Sequence, residues 1–388
     1  MVFTGTLAAG WGATAAYGEY RRRRRARRRE RYLDGLRFLL DDKPERALEV
    51  FLGLAANDDE TIDTHFALGS LYRRRGEVDR AIRVHQHLVD RPGIDPRYRD
   101  AAMTELARDY MRAGLYDRAE KLLLQLAEQG RDPAGALAHL VRIHELQHDW
   151  TQAATAHDRL RNIGVPQQPV AIAHYHCELA EAAIAERDLD GAREHLRRAR
   201  QEQRDFGRSA ILRGDLARMQ GDPQLALQLY RRVVRRDFHL LALVLPRLAD
   251  AAKQAGDTHA FGDTLGELLQ NGLASRSEIA YAAIVSGYYD DPVILDCVRE
   301  WLSADNDLKD ITSALLPGST EPSEEQLRAV ANAMRNVVLR HARYRCSECG
   351  LDSSSFLWQC PGCQSWETLR GIAALEFLPR AARPRASG

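Results

Sequence analysis

The sequence lacks the short motifs that phosphate-handling and hydrolytic enzymes carry. No G-x-x-x-x-G-K-[ST] loop, H-E-x-x-H helix or G-x-S-x-G elbow occurs in its 388 residues, so it has no nucleotide-phosphate cradle, zinc-protease helix or hydrolase nucleophile. Cysteine is scarce: of six, four form two tight pairs near the C-terminus, and Cys177 and Cys297 stand alone in helical text. That usage suits a reducing compartment better than a disulfide scaffold, with Cys177 and Cys297 expected to fill small core positions. Net charge is also missing, 55 basic residues against 55 acidic, and aromatics are only 7%. The Ala, Leu and Arg that remain favour helix.

The balance of charge hides a local excess. Residues 1–18, MVFTGTLAAGWGATAAYG, carry no charged side chain, and eleven of them are apolar. As a helix they would span about 27 Å against a hydrocarbon core of roughly 30 Å, a marginal membrane anchor short of Leu, Ile and Val. Residues 19–31 then hold nine Arg against two Glu, leaving 46 basic against 53 acidic residues in the rest. Basic charge after the apolar stretch, rather than before it, argues against a secretory signal. It would hold that flank, and everything downstream, on the cytoplasmic side. The competing reading is a solvated basic arm that touches nucleic acid.

Residues 32–270 are periodic. Asp42-Lys43-Pro44-Glu45-Arg46-Ala47, Gly76-Glu77-Val78-Asp79-Arg80-Ala81, Gly114-Leu115-Tyr116-Asp117-Arg118-Ala119 and Gly221-Asp222-Pro223-Gln224-Leu225-Ala226 share one form, and weaker copies begin at His148, Arg187 and Gly256. Successive starts lie 34, 38, 34, 39, 34 and 35 residues apart, a period of 34 with insertions at 91–96 and 164–169. Leu68-Gly69, Tyr72, Gly76 and Ala81, and likewise Leu106-Ala107, Tyr110, Gly114 and Ala119, fit the tetratricopeptide pattern. Gly69 or Ala107 lets two helices approach closely, the turn glycine ends the first helix, and the following Ala lies at the crossing. The fold class expected is all-α: a right-handed tetratricopeptide-repeat solenoid, with a small rubredoxin-like or zinc-ribbon module at its C-terminal end. Histidines gather at 85 and 87, at 139, 144 and 148, and at 174 and 176, a density expected by chance on such an array. Residues 271–340 lose the period and read as a helical cap and connector, with capping-box spacing at Ser275-Arg276-Ser277-Glu278 and Ser323-Glu324-Glu325-Gln326.

Residues 341–372 contain Cys346-Ser347-Glu348-Cys349 and Cys360-Pro361-Gly362-Cys363. Two C-x-x-C turns offer four thiolates to one tetrahedral ion, zinc or iron, and leave no open position for water or substrate. The site is therefore expected to be structural, with neither catalytic nor cofactor-binding residues elsewhere. Gly350 and Pro361-Gly362 would let amides turn toward sulfur, and Arg343, Arg345 and Arg370 could offset the excess negative charge. So short a module has little core, so the ion supplies much of its folding free energy. Phe356, Trp358, Trp366 and Leu369 are expected to join it to the last helices. Residues 373–388 form the C-terminal tail, expected to be disordered from Arg380 to Gly388.

In that order, the apolar start, the basic run, about seven repeats and Tyr344-Arg345-Cys346-Ser347-Glu348-Cys349-Gly350 with Trp358-Gln359-Cys360-Pro361-Gly362-Cys363-Gln364-Ser365-Trp366-Glu367-Thr368 resemble the lipopolysaccharide assembly protein B family. The resemblance covers essentially the whole chain. It implies a non-enzymatic, single-pass adaptor of a bacterial inner membrane, its repeats and metal module facing the cytoplasm. Its implied partners are the protease FtsH, the lipid A deacetylase that FtsH degrades, and other lipopolysaccharide-assembly proteins, so that lipopolysaccharide output is limited. No nucleic acid is implied, and self-association into a homo-oligomer is compatible. The sequence departs in its poorly aliphatic anchor and unusually dense Arg run. A nucleic-acid binder using the Arg run and knuckle, or an iron-containing redox protein, are the alternatives.

Overall fold

A computed structural model describes residues 62–304 and 322–371, apart from positions 167, 258, 341 and 342, together with a few positions between 30 and 50. The expected anchor at 1–18, most of the basic run, the first repeat copy and the tail lie outside the described residues. The chain divides into two compact units, Met1–Gln167 and Gln168–Gly388. The division falls inside the turn-rich insertion at 164–169.

The first unit consists, among the described residues, of helix pairs: α1 (Ile62–Arg74) with α2 (Val78–Val89), α3 (Pro96–Arg112) with α4 (Tyr116–Gln129), and α5 (Pro133–Leu146) with α6 (Trp150–Asn162). The turn inside each pair is one device. Gly76, Gly114 and His148 take left-handed backbone, φ 82°, 74° and 57°. The next amide then donates back to a carbonyl five residues earlier, as Glu77 does to Tyr72, Leu115 to Tyr110 and Asp149 to His144, satisfying the carbonyls a helix end leaves bare. Asp95, Asp132 and Asp149 accept from the first turns of α3, α5 and α6, so those helices start where the sequence supplies a short carboxylate. Ala81, Ala119 and Ala153, five residues after each turn, are fully buried. At Gly69 a Cβ would lie 2.4 Å from the His85 ring, so the close approach read from the pattern is real there.

The same device builds the second unit. Here α7 (Pro169–Ala185) pairs with α8 (Leu189–Glu202), α9 (Gly207–Met219) with α10 (Pro223–Arg236), and α11 (Leu241–Gln254) with α12 (Ala260–Gln270). Arg187, Gly221 and Gly256 are the left-handed residues, φ 63°, 81° and 71°. Gly214 faces Tyr230 as Gly69 faces His85, a Cβ there falling 2.4 Å from the ring. Then come α13 (Arg276–Ser286), α14 (Pro292–Ala304) and α15 (Glu324–Val338). Both anticipated capping boxes are formed, Ser275 with Glu278 and Ser323 with Gln326. One apolar core runs from Ile211 through Ala331 and takes in Cys297, while Cys177 belongs to a smaller core with Leu196 and Leu212. Burial raises both thiols, Cys297 to about 11, and keeps them in the unreactive protonated form. A three-stranded antiparallel sheet ends the unit, β1 (Tyr344–Cys346) lying between β2 (Asp352–Ser353) and β3 (Leu369–Gly371). The fold class is thus the one expected.

Candidate metal centre and its seat on the helices

Two like turns hold the four cysteines. In the first, the Gly350 amide donates to the Cys346 carbonyl and the Cys346 amide to Leu351; in the second, Gln364 donates to Cys360 and Cys360 to Ser365. Each turn needs a left-handed residue after its second cysteine. Gly350 meets that need at φ 73°, but in the second turn it falls on Gln364, φ 61°. The glycine singled out in the sequence, Gly362, has another part: a Cβ there would stand 3.4 Å from Cys349 Sγ and 3.3 Å from the Leu351 side chain.

The donor set fits one tetrahedral ion. Cys346 and Cys363 Sγ are 3.6 Å apart, Cys349 and Cys360 Sγ 3.7 Å, and all four sulfurs lie within 4.8 Å of one another. Metal–sulfur bonds of about 2.3 Å give a tetrahedron with edges of about 3.8 Å. The electrostatics agree. The Thr368 hydroxyl, 3.3 Å from Cys346 Sγ, pulls that thiol down to about 6, and Ser365 lowers Cys363. At Cys349 the Leu351 amide pulls the same way, but burial and the neighbouring sulfurs outweigh it and push the thiol up to about 11. Four thiolates so close cannot coexist without a cation among them. Arg345, expected to offset this charge, forms a salt bridge with Asp352 at 2.6 Å, and Arg343 lies over the Tyr344 ring.

The module's own core is small: Tyr344, Cys346, Cys360 and Leu369, with Phe356 and Cys363 against it. Phe356 and Trp358 also pack on the large helical core. Trp366, expected to reach the last helices, instead stacks on His174 of α7, centroids 4.3 Å apart and planes at 18°, with Tyr175 at 6.0 Å. The reason lies in α9. Arg208, only 2% exposed, donates to Glu178, Glu181 and His174 Nδ1, at 2.8, 3.0 and 3.3 Å, and lies 5.5 Å from the Trp358 ring. Phe206 closes the other edge of His174 at 4.6 Å. A ring so enclosed cannot accept a proton: burial first, then the Arg208 charge, holds His174 down to about 2. Neutral His174 is therefore the platform for Trp366. Glu367 Oε1 stands 3.8 Å from its Nε2, and burial raises that carboxyl.

Sequence reasoning placed the four sulfurs but not this seat. His174 of α7, Phe206 just before α9 and Arg208 of α9 lie more than 130 residues upstream of the knuckles, and no local pattern marks them. The other histidine clusters are dispersed. His85 is buried against Asp109 at 2.5 Å, which Arg73 also binds at 2.7 Å, while His139 meets Arg108. Among the described residues the four cysteines are the one group of side chains placed to hold an ion.

Helical repeat pairs that seat a four-sulfur knuckle define a tetratricopeptide-repeat protein with a rubredoxin-type metal module. Family models agree, a tetratricopeptide repeat matching residues 64–93, 104–169 and 177–237 and a rubredoxin metal binding domain matching 344–370. The chain belongs to the lipopolysaccharide assembly protein B family: it is 31% identical to the Escherichia coli K12 protein of that name over 377 residues, 94% of this chain and 97% of the relative. The Haemophilus influenzae protein of the same name is 25% identical over 387 residues, 93% and 96% of the two chains. A solved tetratricopeptide repeat protein from Parabacteroides merdae is 10% identical, covering 70% of this chain and 98% of its own, with a TM-score of 0.33.

Proposed function

We propose that this chain is a non-enzymatic adaptor that regulates lipopolysaccharide biosynthesis at the bacterial inner membrane, helping the protease FtsH degrade the deacetylase that commits material to lipid A. What carries the reading is the end-to-end match to proteins named for lipopolysaccharide assembly, 94% of this chain against 97% of the relative. Residues 1–18 would be the anchor, 19–31 the basic juxtamembrane segment, 32–270 the protein-binding repeats, 271–340 the cap, and 341–372 the metal module. Cys346, Cys349, Cys360 and Cys363 would ligate one zinc or iron ion, which fixes the two turns and performs no chemistry on a substrate.

Partner capture from cells tests the reading. Intact protein should retain the protease and the deacetylase, and depletion should raise the deacetylase level. Capture of neither, with an unchanged deacetylase level, refutes the regulatory role. Release of the protein from membranes by carbonate refutes the integral anchor. Elemental analysis and visible absorbance of fresh protein assign the metal, since four thiolates on iron absorb visible light and on zinc do not.

A further inference from the structure

Where the metal module meets α8, α9 and α10, the second unit forms a solvent-open cavity of about 330 Å³. Its wall carries six guanidinium groups: Arg200 of α8, Arg204 of the following loop, Arg213 of α9, Arg232 and Arg236 of α10, and Arg370 of β3. Facing them are three carboxylates. Asp205 is tied to Arg236 at 2.7 Å, Asp237 accepts from the His239 amide at 3.1 Å, and Glu367 turns toward His174. Arg200, Arg204, Arg213 and Arg232 therefore make no ion pair among the described residues, although Arg200 and Arg232 act on Asp205 at longer range. Neighbouring arginines on the same helices are neutralised: Arg197 and Arg198 by Glu194, and Arg235 by Glu267. The unpaired set thus lines the cavity, all of it but Arg213 exposed to solvent.

That arrangement sets like charges side by side, which an anion between them would relieve. Arg213 is half-buried, and burial, then the charges of Arg200 and Arg232, depresses its guanidinium, the situation of a cation held among like charges. We propose that this cavity is a binding site for a phosphate or diphosphate group, borne by a lipid headgroup or by a soluble ester. Guanidinium forks match phosphate oxygens two at a time, and several converging on one small volume suit a compact multiply charged anion. An acidic peptide would spread its charges along a longer groove. Because Arg370 and Trp358 come from the metal module, the site is complete only when the module is seated. The proposal does not depend on the protease or the deacetylase.

The test titrates metal-loaded full-length protein with inorganic pyrophosphate by calorimetry. Saturable one-to-one binding is expected, weakened about tenfold in Arg213→Gln, the loss of one charge-assisted hydrogen bond. Arg204→Gln, on the exposed rim, should weaken it in the same direction without disturbing the fold, while Arg197→Gln should leave it unchanged. Vesicles of phosphatidylcholine doped with phosphatidic acid form the second arm. Vesicle binding that pyrophosphate displaces supports a lipid-borne phosphate, and pyrophosphate binding without vesicle binding supports a soluble one. No saturable pyrophosphate binding, an equal loss in Arg197→Gln, or binding of poly-glutamate in place of pyrophosphate overturns the proposal.

Discussion

The repeats and the metal module solve the same problem with opposite means. A helix pair such as α3 and α4 buries Leu106, Ala107, Ala119 and Leu123 to within 1% of full burial, and each such side chain contributes on the order of 1–3 kcal/mol. The module has four buried residues in its own core, two of them cysteines. Its backbone is nonetheless bent into two identical turns, one with Gln364 in left-handed conformation. The helices need no ligand; the knuckles need an ion inside and a platform outside.

The largest expected effect breaks that comparison at the ion. Chelation, or Cys346→Ser with Cys349→Ser, should unfold residues 344–371 while leaving the helices formed. Structural zinc supplies on the order of 10 kcal/mol to small domains. Far-ultraviolet dichroism should therefore change little, whereas near-ultraviolet signals from Trp358 and Trp366 collapse. A helical signal that fell in parallel would mean that the helices depend on the module.

Next in size is the platform. Trp366→Ala removes the stack on His174 and should cost about 2 kcal/mol, less than the ~3–5 of a fully buried Trp because Trp366 keeps some exposure. Protease sensitivity of the C-terminal segment with metal bound would report it. Acid should act through the same contact. His174 titrates near 6.5 when unfolded and is held down to about 2 when seated, so below pH 6.5 the unfolded state binds the extra proton and native stability falls, by about 1.4 kcal/mol per pH unit. Going from pH 6.5 to 5 should lower stability by about 1.7 kcal/mol more in the natural protein than in His174→Phe. Equal acid sensitivity of the two would show that His174 carries no proton linkage.

What the sequence disclosed follows the range of each interaction. The turn every 34 residues, the Ala that usually follows it and the two capping boxes are local, and among the described residues the turns and boxes are where the text places them. The four sulfurs were legible for the same reason, two pairs each closed by a short turn. The seat was not, because Trp366 meets His174 only when segments distant in sequence pack, and Arg208 reads as an ordinary helical arginine until Glu178 and Glu181 are seen to hold it. Gln364 escaped notice because a left-handed backbone at a non-glycine leaves no mark in composition. Even so, two of the three weak repeat copies did carry a signal: at His148 and Arg187 the turn residue is not glycine.

That signal gives the smallest and sharpest expectation. His148 and Arg187 adopt φ 57° and 63°, the conformation that Gly76, Gly114, Gly221 and Gly256 adopt without penalty. A side chain there costs roughly 1–2 kcal/mol, whereas glycine pays about 0.5–1 kcal/mol for its freer unfolded chain. The two terms leave a net gain of a few tenths to about 1 kcal/mol for His148→Gly or Arg187→Gly. His148 complicates its case, since its ring meets Trp150 edge-on at 5.2 Å and that contact, worth about 0.5–1 kcal/mol, would go. Arg187 is exposed and has no such contact among the described residues. Arg187→Gly should therefore raise the melting temperature of the second unit by more than His148→Gly raises that of the first. Destabilisation by Arg187→Gly would show that the turns are held by something other than the backbone conformation they share.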